Sequence, residues 1–201
     1  MDFESIINLV KNMLPSSIVT LEIFFLTIIF SSILGMFVAF GRMSKFAIIR
    51  IPIQVFLLIM RGTPLILQLM FFYFAPYYIF AATLPRFWAA ILAFTLNYSA
   101  YIAEIFRSGI QSVDKGQMEA SRSLGLGYAD TMRFVIVPQA VKNVLPALAN
   151  EFITLVKESS VLSVIGTQEI MFKAGIVVTA VYSPMEPYVA AAVIYLVLTT
   201  I

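Results

Sequence analysis

From Ser16 to Phe40 the chain carries one ionisable side chain, Glu22, in 25 residues. Crossing about 30 Å of hydrocarbon takes about 20 helical residues, so a run of this length and polarity is a membrane span before it is anything else. The whole chain agrees with that reading. It is 61% hydrophobic and 12% charged, with a mean hydropathy of +0.95, against roughly 25% charged residues in soluble domains. The expected fold class is all-α, a polytopic helical membrane protein, organised as one transmembrane domain over residues 1–201.

Apolar content predicts five spans: Ser16–Phe40, Ile51–Phe80, Phe87–Phe106, Pro146–Ile165, and Pro187 to the last residue. The second is interrupted by "RGTP" at Arg61–Pro64. The fifth holds 15 residues, about 22 Å of helix at 1.5 Å per residue, so the last helix is expected to be cut short at 201. The opening "MDFESIINLVKNMLPSS", with Asp2 and Glu4, lacks the basic start of a signal peptide and reads as a short amphipathic helix on the membrane surface.

Lys and Arg then set the orientation. With the N-terminus outside, residues 41–61 and 107–145 become cytoplasmic, and they hold nine of the thirteen basic residues: Arg42, Lys45, Arg50, Arg61, Arg107, Lys115, Arg122, Arg133 and Lys142. Lys11, Arg86 and Lys173 fall outside and Lys157 within a span. The net charge of +2 is too small to argue for nucleic acid. There is no cysteine and no histidine, which removes disulfides, thiolate chemistry, the usual zinc ligands and imidazole acid/base work.

The cytoplasmic stretch of about 40 residues, 107–145, is longer than an ordinary helix connection. Inside it, Gln117–Leu124 favours a helix, Gly125 sits where a left-handed residue would close it, Asp130 can start a second short helix, and Pro138 can end that one. Gly125 and Gly127 would let the chain turn sharply. The result is a compact knob with Met118, Leu124 and Leu126 available to dock into another protein. The same pattern also fits a hairpin packed on its own membrane domain.

Glu119, Ala120 and Ser121, then Gly125, then nine residues before Val135, Ile136, Val137 and Pro138, meet the spacing of a cytoplasmic motif written E-A-A, three residues, G, nine residues, I-x-L-P. Ser121, Val135 and Val137 depart from it conservatively. "RGTPLILQLMFFYF", "NYSAYIAEIFRSGIQSVDKGQ" and "NEFITLVKESSVLSVIG" extend the likeness over most of Arg61–Gly166. In these segments and their order the chain resembles the permease subunits of ABC importers for polar amino acids. The resemblance implies a permease dimer in the bacterial cytoplasmic membrane, a separate ATPase subunit carrying ATP and Mg, and an extracytoplasmic substrate-binding protein. It implies that Met118, Glu119, Ala120, Ser121, Ser123, Leu124, Gly125, Leu126 and Gly127 face the ATPase. Independently, no G-x-x-x-x-G-K-[ST] phosphate loop occurs in the chain, so it is not expected to cradle ATP, and energy must come from another chain or an ion gradient. With no cysteine or histidine as well, no cofactor is expected in this chain and it is not expected to be an enzyme.

Ionisable groups inside a bilayer cost a few kcal/mol and mark pathways or partners. Glu151, Thr154 and Glu158 fall at i, i+3 and i+7, one stripe of a helix beside Lys157, suited to the ammonium of a zwitterion. Lys157 and Glu158 could equally reach interfacial water. Thr63 can cap a helix that Pro64 begins, whose free amides would suit a carboxylate, with Gln68 and Asn97 completing a polar site beside Tyr98. An ordinary helix start at the membrane surface accounts for Thr63 as well. Glu104 pairs with Arg107 at i+3 as a structural contact, and Glu22 sits close enough to the outer surface to be solvated. Five spans are too few to enclose and seal a passage, so a second copy or homologue is expected about a twofold axis along the membrane normal. Two other classes remain: an ion-gradient-driven secondary amino acid transporter titrating Glu151 and Glu158, and a scaffold whose knob recruits a cytoplasmic protein.

Overall fold

The computed structural model describes residues 3–200, so Asp2 of the expected surface helix and Ile201 at the end of the fifth span lie outside the described residues. Those residues form helices joined by short turns, with no strand among them. The elements are α1 (Phe3–Met13), α2 (Ser17–Arg42), α3 (Ala47–Gly62), α4 (Leu65–Phe80), α5 (Arg86–Gln111), α6 (Lys115–Ser123), α7 (Tyr128–Thr131), α8 (Val137–Glu158), α9 (Ile170–Val181) and α10 (Met185–Thr200). Glu4–Arg42 and Arg86–Gln111 are each long and apolar enough to cross a membrane. Two further spans arise if each bent pair counts as one, and α10 is a shorter apolar helix.

Several boundaries differ from expectation. The expected second span does not run as one rod: α3 and α4 meet at a 110° bend. Pro64 disfavours helical backbone at Thr63, so α3 must stop there. The expected two separate helices at 130–138 and 146–165 are one helical run, Tyr128–Ile165. Pro138 does not end it, because a π-helical turn at Met132–Ile136 precedes it and the Val137 N–H reaches back five residues to the Met132 carbonyl. That wider turn absorbs the residue whose missing donor and ring would otherwise break an α-helix. The run ends in a 3-10 stretch, Ser159–Ile165. Helix α9 has no counterpart among the five expected spans. At 12 residues it is too short for a search based on crossing length.

The chain forms two compact units. The first comprises Met1–Ile29, Thr63–Thr95 and Phe152–Ile201. Its core gathers Met13 of α1, Ile170, Ala174 and Val177 of α9, and Ala190, Ala191 and Ile194 of α10. Helix α1 is therefore docked through one face, with Leu9 and Val10 also packed on this core, and is not a helix bound by lipid alone. Buried apolar area of this kind is worth roughly 25 cal/mol per Å2 against water.

The second unit comprises Phe30–Gly62 and Leu96–Glu151. Its core sets Val38 of α2 and Leu57 of α3 among small residues, Ala39 of α2 and Ala100 and Ala103 of α5. Small side chains let helix backbones approach closely where burial against lipid offers little drive. Gly109 marks the tightest approach of α5 to α8, since a Cβ there would overlap the Val144 side chain and lie 3.2 Å from the Ala140 carbonyl oxygen. Gly109→Val is expected to destabilise this unit by about 1–3 kcal/mol through overpacking. The thermal midpoint in detergent checks it, and Gly175→Ala, with open space around its new methyl group, should not lower that midpoint.

Candidate functional site

The E-A-A motif folds into a capped, exposed helix. Asp114 stands at the N-cap of α6 and accepts a 2.6 Å hydrogen bond from the Gly116 N–H. At the other end Gly125 takes φ +88, the Gly125 N–H reaches the Arg122 carbonyl and the Leu126 N–H the Ser121 carbonyl at 3.1 Å. That pair of bonds is a Schellman closure, which needs a left-handed residue and so favours glycine. Gly127 plays a different part from the one expected: it is extended at φ −65, ψ 162 and precedes α7 as its N-cap. Helix α7 thus begins at Tyr128, with Asp130 inside its first turn.

The partner-facing residues divide by burial. Glu119, Ala120, Ser123, Leu124, Gly125, Leu126 and Gly127 are exposed, and Leu124 is 84% exposed. Ser121 is buried, its hydroxyl donating to the Gln117 carbonyl at 2.7 Å. Met118 is half-buried and lines a groove with Met43, Ile110, Tyr128, Met132 and Ile136. Helix α6 packs on α7 and on the π turn that leads into α8, so the knob has a firm seat on the helix that follows it.

A polar cleft of about 670 Å3 lies in the same unit, lined by Arg61, Tyr101, Glu104, Arg107, Asn143 and Glu151 among others. The Glu104 carboxylate organises it. Arg107 donates to Oε2 through Nε at 3.0 Å and Nη2 at 2.7 Å, Arg42 Nε lies 3.7 Å from Oε1, and Arg61 Nη1 lies 3.9 Å from Oε2. The i+3 pair was legible in the sequence. Arg42 and Arg61 were not, because they come from other helices. Arg61 also stands over the Tyr101 ring, 5.5 Å from its centroid, within the range of cation–π attraction.

Glu151 is half-buried in this cleft, whereas Thr154 and Glu158, also half-buried on α8, belong to the first unit. Thr63 is not a helix cap: Pro64 holds that position, and the Thr63 hydroxyl accepts from Gln68 Nε2 at 2.7 Å. Gln68 is buried and donates to the Thr63 carbonyl as well. Asn97 is buried and donates to the Met60 carbonyl at 3.1 Å, tying α5 to the end of α3. These amides satisfy backbone at a helix break. Glu22 is exposed on α2. Sequence reasoning missed Glu169, which is fully buried and accepts from the Met171 and Phe172 N–H groups at 2.7 and 2.6 Å and from the Tyr195 hydroxyl at 2.6 Å. It caps the one helix that the span search did not find.

Residues 31–201 match the family described as binding-protein-dependent transport system inner membrane component. The chain is 39% identical over 201 residues to the arginine transport system permease protein ArtQ of Bacillus subtilis, covering 100% of this chain and 92% of that protein. It is 36% identical over 185 residues to a putative glutamine transport system permease protein GlnP of Rickettsia typhi, covering 92% and 85%. A crystal structure of an amino acid ABC transporter superposes with a TM-score of 0.93 at 42% identity, over 100% of this chain and 93% of that one. The MetNI methionine ABC transporter in an inward-facing form shares the fold at a TM-score of 0.71 and 19% identity, over 100% and 93%. The chain belongs to this family, the inner-membrane permease subunits of ABC transporters.

Removing the central carboxylate leaves three guanidinium groups facing one another. Glu104→Ala is expected to cost on the order of 1–3 kcal/mol, between an exposed pair and a fully buried one. Glu104→Gln should cost less. A lowered thermal midpoint of the purified protein checks the order of the two.

Proposed function

We propose that the chain is the membrane-spanning subunit of an ATP-driven importer that carries a polar amino acid across the bacterial inner membrane. ATP and Mg belong to a separate ATPase subunit, a second permease copy or homologue completes the passage, and an extracytoplasmic binding protein delivers substrate. Residues 1–201 act as one permease domain, with the N-terminus outside and the segment 107–145 in the cytoplasm. Whole-length likeness to permeases named for arginine and glutamine transport supports the substrate class. It disfavours the gradient-driven alternative, since energy in an ABC system enters through a motor subunit.

The observation that carries the reading is the seating of α6. An exposed helix, closed at both ends, rests on a turn that continues without interruption into the helix bearing Glu151. Force applied at Glu119, Ser123 or Leu124 therefore reaches the cleft through a stiff element rather than a loop. In the proposed cycle the ATPase moves this knob as a body, and the cleft opens to one side at a time. Glu151 faces the substrate's ammonium group. Thr154 and Glu158 on α8, and separately Thr63, Gln68 and Asn97, are further candidates for contact with the substrate.

Gly125→Val is expected to keep assembly but uncouple the complex, because a β-branched residue at positive φ costs about 1–2 kcal/mol and distorts the closure. ATP hydrolysis should persist while uptake in proteoliposomes falls at least about tenfold, the factor that 1.4 kcal/mol represents. Full uptake would count against the joint. Glu151→Ala should reduce uptake with assembly intact, and crosslinks from Ser123 should recover an ATP-hydrolysing chain.

A further inference from the structure

The ion cluster on Glu104, part of which lines the cleft that holds Glu151, has more guanidinium groups than its one carboxylate requires. Arg42, Arg61 and Arg107 gather on Glu104, so this cluster carries three positive groups and one negative one. The arginines are not equivalent. Arg107 is engaged through all three of its nitrogens: Nε and Nη2 bond Glu104, and Nη1 donates to Gln111. Arg42 does not line the cleft. Arg61 does, its side chain is 45% exposed, and its contact with Glu104, at 3.9 Å, is an ion pair beyond hydrogen-bonding distance. The Tyr101 ring fixes the guanidinium plane without using its N–H donors.

We propose that Arg61 receives the α-carboxylate of the transported amino acid in this cleft, with Glu104 and Tyr101 holding its guanidinium in place. The inference rests on amino acid import as the function. A planar guanidinium with unused donors matches a carboxylate in two parallel hydrogen bonds. Glu151 in the same cleft supplies the opposite charge for the ammonium end. This differs from the sequence expectation, in which free amides at the start of α4 would take the carboxylate. At that helix start Pro64 is the N-cap and the Thr63 hydroxyl accepts from Gln68.

The test is equilibrium binding to the detergent-solubilised permease–ATPase complex without the binding protein, using L-arginine, L-glutamine and their carboxamides as probes. The wild type should prefer at least one free acid over its amide by about tenfold or more, the scale of a charge-assisted hydrogen-bond pair. In Arg61→Gln that preference should fall to less than about twofold, with amide binding unchanged or tighter because a cation has been removed. Arg61→Lys should retain part of the preference. Arg42→Gln, which loosens the same ion cluster outside the cleft, should keep it. Equal wild-type affinity for acid and amide overturns the role of Arg61 while leaving amino acid import standing, and so does an Arg42→Gln effect as large as that of Arg61→Gln. If the wild type binds none of the four probes, the import reading fails and this one with it.

Discussion

One carboxylate, that of Glu104, gathers guanidinium groups from α2, α3 and α5. Such a partly buried cluster is costly to assemble and more costly to leave incomplete, because solvent reaches an orphaned charge there only in part. The apolar packing of the same unit relies on small residues, Ala39, Ala100 and Ala103. These bring the helices close enough for long arginine side chains to converge on one point. Close backbone approach and charge clustering are therefore one arrangement: widening the helix spacing would loosen both. It also leaves one arginine, Arg61, anchored but with donors to spare.

The second unit joins this cluster to the surface knob. Helix α6 is short, and a helix of 9 residues would not hold its shape alone in water. Its order comes from the Asp114 cap, the Gly125 closure, and its seat on α7 and the π turn. The π turn has a further consequence. By accommodating Pro138 without a break it makes Tyr128–Ile165 one continuous run, so the motif's proline is a point of passage where a stop was expected.

How much of this could be read from residues alone depended on the range of the interaction. Helix closure at Gly125 and the Glu104–Arg107 pair are local, three to five residues in reach, and both were legible. The apolar run of α2 and the motif spacing were legible for the same reason. Convergence of Arg42 and Arg61 on Glu104 depends on three helices meeting and leaves no sequence pattern. The role of Thr63 was misread because a threonine before proline looks like a cap, whereas its hydroxyl is taken by Gln68. Helix α9 was missed because its 12 residues fall below crossing length, and Glu169 went with it, being unremarkable as a loop glutamate.

That glutamate shows how the first unit handles charge differently. Both Glu169 oxygens are used, one on the Phe172 N–H and the other on the Met171 N–H and the Tyr195 hydroxyl. The positive end of α9 and two of its otherwise orphaned amides offset the cost of burying the group. No basic side chain is needed. The bond to Tyr195 also fastens α10 to the start of α9, beside the Met13–Ile194 core. Glu169 is thus closed off within a fixed packing. The Arg42 and Arg61 contacts to Glu104 in the second unit are longer and partly exposed, the kind of interaction that can be exchanged for a ligand at small cost.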